Sequence, residues 1–95
     1  MKKMKEKTRV LIADDNQDFS RTLSSYINKQ DDMEVISIAK DGNEAVEMIA
    51  KNNPDIVLLD VIMPHLDGLG VLEKVNEMET SKKPVCIMLS AVGQD

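Results

Sequence analysis

Apolar and polar positions alternate along the chain in blocks, and the period changes from block to block. Arg9–Ala13 (RVLIA) is a short aliphatic run stopped by polar residues, which reads as a strand. From about Gln17 to Lys29 the period lengthens. Phe19, Leu23, Tyr26 and Ile27 recur at i, i+4, i+7 and i+8, one face of a helix, and the polar turn Gln30-Asp31-Asp32 closes it. Glu34–Ala39 (EVISIA) is a second strand. Asp41-Gly42-Asn43-Glu44 resembles a capping box, an acceptor side chain followed three residues later by Glu. The helix that follows is expected to bury Ala45, Val46, Ile49 and Ala50. It ends near Asn52-Asn53-Pro54, where proline prevents continuation. Ile56–Leu59 (IVLL) is a third strand, apolar throughout. After a turn containing Pro64 and Asp67-Gly68, a third helix from about Gly68 to Glu77 uses Leu69, Leu72 and Val75. Lys82-Lys83-Pro84 reads as a solvated loop and Val85–Leu89 (VCIML) as a fourth strand, with Cys86 an inert core thiol and Met88 core filling.

The order is β-α-β-α-β-α-β, an α/β protein. Continuously apolar third and fourth strands imply a parallel sheet covered on both faces, with right-handed crossovers. In such open sheets the site lies beyond the carboxyl ends of the strands. Asp14 and Asp15 follow the first strand, Lys40 and the expected cap Asp41 the second, Asp60 the third and Ser90 the fourth. If the first and third strands are neighbours, their axes lie about 4.8 Å apart and Asp15 and Asp60 share a pocket.

Clustered carboxylates repel and need a proton or a cation to coexist. One Asp kept protonated would serve acid–base chemistry. A hard divalent cation would sit among the oxygens instead; Mg²⁺ suits, because it takes one or two carboxylates, keeps waters and accepts phosphate oxygens. A carboxylate beside that ion can attack a phosphoryl group, and a small hydroxyl such as Ser90 can bond a phosphoryl oxygen. Two plainer readings compete: Asp14-Asp15 as a helix cap and Asp60 as a strand-terminating turn residue.

Composition narrows the class. With 95 residues, 42% hydrophobic and 31% charged, the chain is one small domain with a marginal core. No apolar run approaches the ~18 residues of a membrane span, and MKKMKEK leads into no signal-type apolar core, so a cytoplasmic protein is expected. One cysteine and one histidine, His65, exclude an internal disulfide and a Cys/His metal site, and His65 receives no chemistry. The net charge is −5, and residues 1–7 carry +3, which leaves −8 on the rest. An acidic body with two aromatics, Phe19 and Tyr26, suits neither direct nucleic-acid binding nor a membrane surface. Residues 1–8 read as a basic flexible tail and 9–95 as the domain.

IADDN at Ile12–Asn16, LLDVIMPHLDG at Leu58–Gly68 and LSA at Leu89–Ala91 resemble the receiver domains of bacterial two-component response regulators. The resemblance implies a flavodoxin-like (CheY-like) doubly wound sheet of order 2-1-3-4. It implies Asp60 as phosphoacceptor, with Mg²⁺ (Mn²⁺ or Ca²⁺ as substitutes) held by Asp15, Asp60 and the main-chain carbonyl of Ile62, and by Asp14 through water. Ser90 resembles the switch hydroxyl, the Ala91 N–H a second phosphoryl donor, and Pro64 the residue that shapes the loop. The domain would be no enzyme beyond its own phosphorylation and dephosphorylation. Its donor would be a histidine kinase or phosphotransferase. IMPHLDGLGVLE with LSAVGQD further resembles receivers of sporulation transcription factors of endospore formers, which implies a DNA-binding output domain in a full-length parent.

Receivers of that family continue past the fourth strand with a fourth helix, a fifth strand carrying an essential Lys, and a fifth helix. After Ser90 only Ala91–Asp95 remain here, so the chain reads as truncated after strand four, with the fifth strand and last helices missing. Lys82 and Lys83 precede strand four, at the opposite edge, and cannot stand in for that Lys. An uncovered strand-four edge invites self-association. Two rival functions remain: a non-signalling fragment that binds Mg²⁺ and self-associates, and an Asp-nucleophile phosphohydrolase. Ile62 disfavours the latter, because that class has a second Asp two residues after its nucleophile.

Overall fold

The computed structural model describes residues 6–63, 65–79 and 82–89. Its elements are β1 (Thr8–Ala13), α1 (Gln17–Asn28), β2 (Met33–Ala39), α2 (Gly42–Asn52), β3 (Ile56–Asp60), α3 (Gly68–Glu77) and β4 (Val85–Leu89). The order is the one the periodicity predicts. β1 and β2 each begin one residue earlier than their apolar runs, because Thr8 and Met33 pair with each other and the Thr8 N–H donates to the Asp32 carbonyl at 2.8 Å. Pro64, Ser90 and Ala91 lie outside the described residues.

The sheet is parallel, in the order β2-β1-β3-β4 expected from the resemblance. Successive strand residues face opposite sides. Leu11, Ala13, Ala39, Val57 and Leu59 pack on one side with Ala45 and Ile49 of α2 and Val71 and Val75 of α3. Val10 and Ile12 pack on the other with Ile27 of α1. A register shift between Val10 and Leu11 brings Leu11 opposite Ser37, whose hydroxyl accepts from Asn52 Nδ2 of α2 at 3.1 Å.

Every helix starts on a polar cap. Asn16, Asp41 and Asp67 accept the N–H of Phe19, Glu44 and Gly70. The capping box at Asp41 forms with one variation: the Glu44 carboxylate returns to the Lys40 N–H, one residue before the cap. α2 ends on Asn53 in the left-handed region, φ 49°, before Pro54.

The helix faces differ in part from the periodicity. α1 is seated through Ser20, Leu23 and Ile27, while Phe19 and Tyr26 are exposed, Tyr26 by 64%. Each of the two lies about 100° round the helix from a buried neighbour, Ser20 or Ile27, past the edge of the seat. In α2, Ala50 is exposed. In α3, Val71 is buried where Leu69 was expected, and Leu69 is exposed.

Among the described residues, β4 is covered on one face only. Val85 and Ile87 are 62% and 45% exposed, and Ile56 and Leu58 beside them are half-buried. Among the described residues, the core on the α1 side centres on Val10, Ile12 and Ile27, and Ile56 and Leu58 of β3 pack at its margin. Cys86 and Met88 point the other way and pack against the α2–α3 core. The Lys82-Lys83 loop is tethered rather than merely solvated: Lys82 ion-pairs with Asp55, and Lys83 Nζ donates to the Asn76 carbonyl at 2.7 Å.

Candidate functional site

β1 and β3 are neighbours, with Ala13 opposite Leu59. The chain therefore leaves both strands at the same level, and Asp14, Asp15 and Asp60 converge. One carboxylate oxygen from each lies within 4.8 Å of the other two. Asp14 is 7% exposed, Asp60 is half-buried and Asp15 opens to solvent. Strand-end placement is thus borne out for the three acids, and Asp41, at the end of β2, is a helix cap.

Each acid is held differently. The Asp14 N–H donates to the Ala39 carbonyl at 3.0 Å, extending the β1–β2 ladder, and its Oδ1 accepts the Asn16 N–H at 2.8 Å. Asn16, not Asp14 or Asp15, caps α1, so the plain capping reading of that pair fails. The buried Ser20 hydroxyl donates to the Asp14 carbonyl at 3.5 Å and keeps the first turn of α1 against the site. Asp60 is the last residue of β3 and pairs with Leu89, the residue before Ser90. Its Oδ1 accepts a long bond from the Ile62 N–H at 3.4 Å. Ile62 itself is 73% exposed and offers the site main chain rather than a titratable side chain.

The electrostatics follow from this crowding. Desolvation, then the negative charge of Asp14 and of Asp15, pushes the Asp60 carboxyl above its ordinary value, and the N–H groups of Ile62 and Val61 offset only part of it. Such a site favours whatever brings positive charge. Its geometry fits a hard cation of the Mg²⁺ type, which uses few carboxylates, tolerates an open mouth and keeps water on its remaining positions.

The loop after Asp60 is positioned by residues that do not stand at a strand end. The Gly68 N–H donates to the Val61 carbonyl at 2.8 Å, and a Cβ on Gly68 would stand 2.5 Å from the Asp60 carbonyl oxygen. A side chain there would displace the main chain of Asp60. The Asp-Gly turn pair was visible in the sequence, but not which backbone it would meet. His65 is exposed as expected and takes φ 71°.

A family model described as the response regulator receiver domain matches residues 10–95. Among solved structures, the response regulator domain of Thermotoga maritima CheB is 37% identical with a TM-score of 0.80, over 90% of this chain and 61% of that one. The receiver domain of the putative response regulator NarL of Mycobacterium tuberculosis is 32% identical with a TM-score of 0.81, over 90% of this chain and 68% of that one. CheY of Borrelia burgdorferi, in a complex with CheX, BeF₃ and Mg²⁺, is 35% identical with a TM-score of 0.76, over 92% of this chain and 64% of that one. The chain thus spans less than two thirds of the length of the CheB and CheY structures. No helix among the described residues is long and apolar enough to cross a membrane.

Proposed function

The chain belongs to the response regulator receiver domain family, and from that premise we propose that it accepts a phosphoryl group on Asp60 in an Mg²⁺-dependent step. Members of this family are phosphoacceptor signalling domains rather than enzymes in the ordinary sense. The observation that carries the reading is the convergence of the Asp14, Asp15 and Asp60 carboxylates at the ends of β1 and β3. The relative from Borrelia burgdorferi, whose structure holds BeF₃ and Mg²⁺, supports the same chemistry here.

In this reading Asp15, Asp60 and the Ile62 carbonyl bind the ion directly, and Asp14 acts through water. Mg²⁺, or Mn²⁺ or Ca²⁺ in its place, supplies charge neutralisation on the transferring phosphoryl oxygens. An Asp60 carboxylate oxygen forms the new O–P bond while the N–P bond of a phosphohistidine donor breaks. The electron pair returns to the donor imidazole, and an acyl phosphate results. Ser90 and the Ala91 N–H then bond the phosphoryl oxygens. The donor is a histidine kinase or phosphotransferase, and the output is transcriptional, in sporulation by the narrower resemblance. Ile62 supplies no proton-transfer group, which separates this reading from a phosphohydrolase.

A second reading concerns association. β4 pairs only with β3 among the described residues, and it carries the exposed Val85 and Ile87. This supports self-association of the chain through that edge. Sedimentation across a concentration series checks it; a monodisperse monomer throughout refutes it.

The main test has two arms. Calorimetric titration of the chain with Mg²⁺ is expected to show binding that Asp15→Asn weakens strongly. Acetyl phosphate with Mg²⁺ is expected to label the chain, seen by intact mass. Labelling that persists unchanged in Asp60→Asn refutes the assignment.

A further inference from the structure

Gly42, the first residue of α2, is buried. A Cβ on it would stand 1.8 Å from the Leu66 carbonyl oxygen and 2.6 Å from both the Leu66 carbonyl carbon and the Leu66 Cβ. Two of those atoms are main chain and the third is fixed to it, so no rotamer change relieves the overlap. Backbone freedom does not explain this glycine, because its φ lies outside the left-handed region. Alanine would be the better helix former at the same position. What glycine supplies is contact: the first turn of α2 rests directly on the main chain of Leu66.

Leu66 stands in the loop between Asp60 and α3. Its side chain is half-buried against the α2–α3 core. His65 before it turns through φ 71°, and Asp67 after it caps α3. The near end of the loop is held by the Gly68 N–H on the Val61 carbonyl. Val61 is therefore held by α3 beside Asp60, and Leu66 by α2.

We propose that Gly42 and Leu66 are positioning residues for the acid cluster, the seat of α2 on Leu66 fixing the loop and, through it, how the Asp60 carboxylate faces Asp14 and Asp15. The proposal rests on the cation-site reading above. Neither residue touches the cation; both act through the loop. It makes α2 a part of the molecule whose placement sets cation affinity, and by linkage cation binding steadies the seat of α2.

The experiment is an Mg²⁺ titration of the chain followed by calorimetry, for the wild type, Gly42→Ala, Leu66→Ala and Ile27→Ala. Ile27 lies in the core on the opposite side of the sheet and controls for lost stability alone. Folded fractions are matched by circular dichroism. Gly42→Ala and Leu66→Ala are expected to bind Mg²⁺ at least tenfold more weakly, and Ile27→Ala within twofold of the wild type. If Gly42→Ala does not fold, Leu66→Ala decides: it keeps the main chain and Cβ under Gly42 but removes the side chain that anchors them to the α2–α3 core. Wild-type affinity in folded Leu66→Ala, or an equal loss in Ile27→Ala, overturns the inference and leaves the cation site standing. A wild type that binds no Mg²⁺ overturns both.

Discussion

Ala13 of β1 lies directly opposite Leu59 of β3, and that one pairing puts the residues that follow them side by side. Both strands end facing the same way because they run parallel. The carboxylates of Asp14, Asp15 and Asp60 meet there as a consequence of register. A slip of one residue between β1 and β3 would also turn either Leu11 or Leu59, which share one face, to the other face, so the core on the α2–α3 side holds the site together.

Asp60→Asn is expected to stabilise the protein in EDTA at pH 7. The folded state raises the affinity of Asp60 for a proton above its ordinary 3.8. The ionised group therefore opposes folding above that raised value, progressively less as pH falls, and not at all below 3.8. A melting temperature higher by a few degrees at pH 7, with the gain gone at pH 3, is the expected result. Added Mg²⁺ should then favour the wild type over the variant. An equal or lower melting temperature for the variant in EDTA contradicts the charge crowding.

Asp55 works with the opposite sign. It accepts from Lys82 and from the Arg9 N–H at 2.8 Å, and these hydrogen bonds hold its carboxyl below the ordinary 3.8. Its stabilisation is present above 3.8 and is lost as pH falls through the lower folded value. Asp55→Asn keeps an acceptor for Arg9 but loses the charge. It should cost about 0.5 kcal/mol at pH 7, the scale of a solvent-screened pair, with the gap closing in urea melts at pH 3. A gap that stays constant with pH assigns the effect to packing.

Truncations along α1 separate the seated face from the exposed one. Ile27→Ala should cost about 2–4 kcal/mol, as for a buried aliphatic side chain. Tyr26→Ala should stay within about 0.5 kcal/mol, as for a surface position. Denaturant unfolding measures both. A large loss for Tyr26→Ala would mean that α1 is rotated from the seat at Ser20, Leu23 and Ile27.

His65 spends a left-handed conformation, φ 71°, on a side chain that is exposed. His65→Gly should therefore raise stability by about 1 kcal/mol or less, relief of strain being offset by the greater freedom of the unfolded chain. His65→Val, branched at Cβ, should lower it. The pair of midpoints in urea is the check, and a stable valine variant would be inconsistent with the positive φ.

The sequence by itself determined the order of elements, the parallel sheet and the three acids at its carboxyl edge. Periodicity, capping residues and strand-end positions are local signals, and each is set by residues a few places apart. Asp41 could be read as a helix start for that reason. Tertiary structure decided which side of each helix was buried. Leu69 and Phe19 satisfy the period as well as Val71 and Ser20 do, and only the place of the helix on the sheet separates them. It decided that Lys82 reaches Asp55 and that Asn16 takes the cap beside Asp14. It decided also that Gly42 serves Leu66: a missing side chain leaves no periodic trace, and its use shows only when another stretch of backbone fills the space.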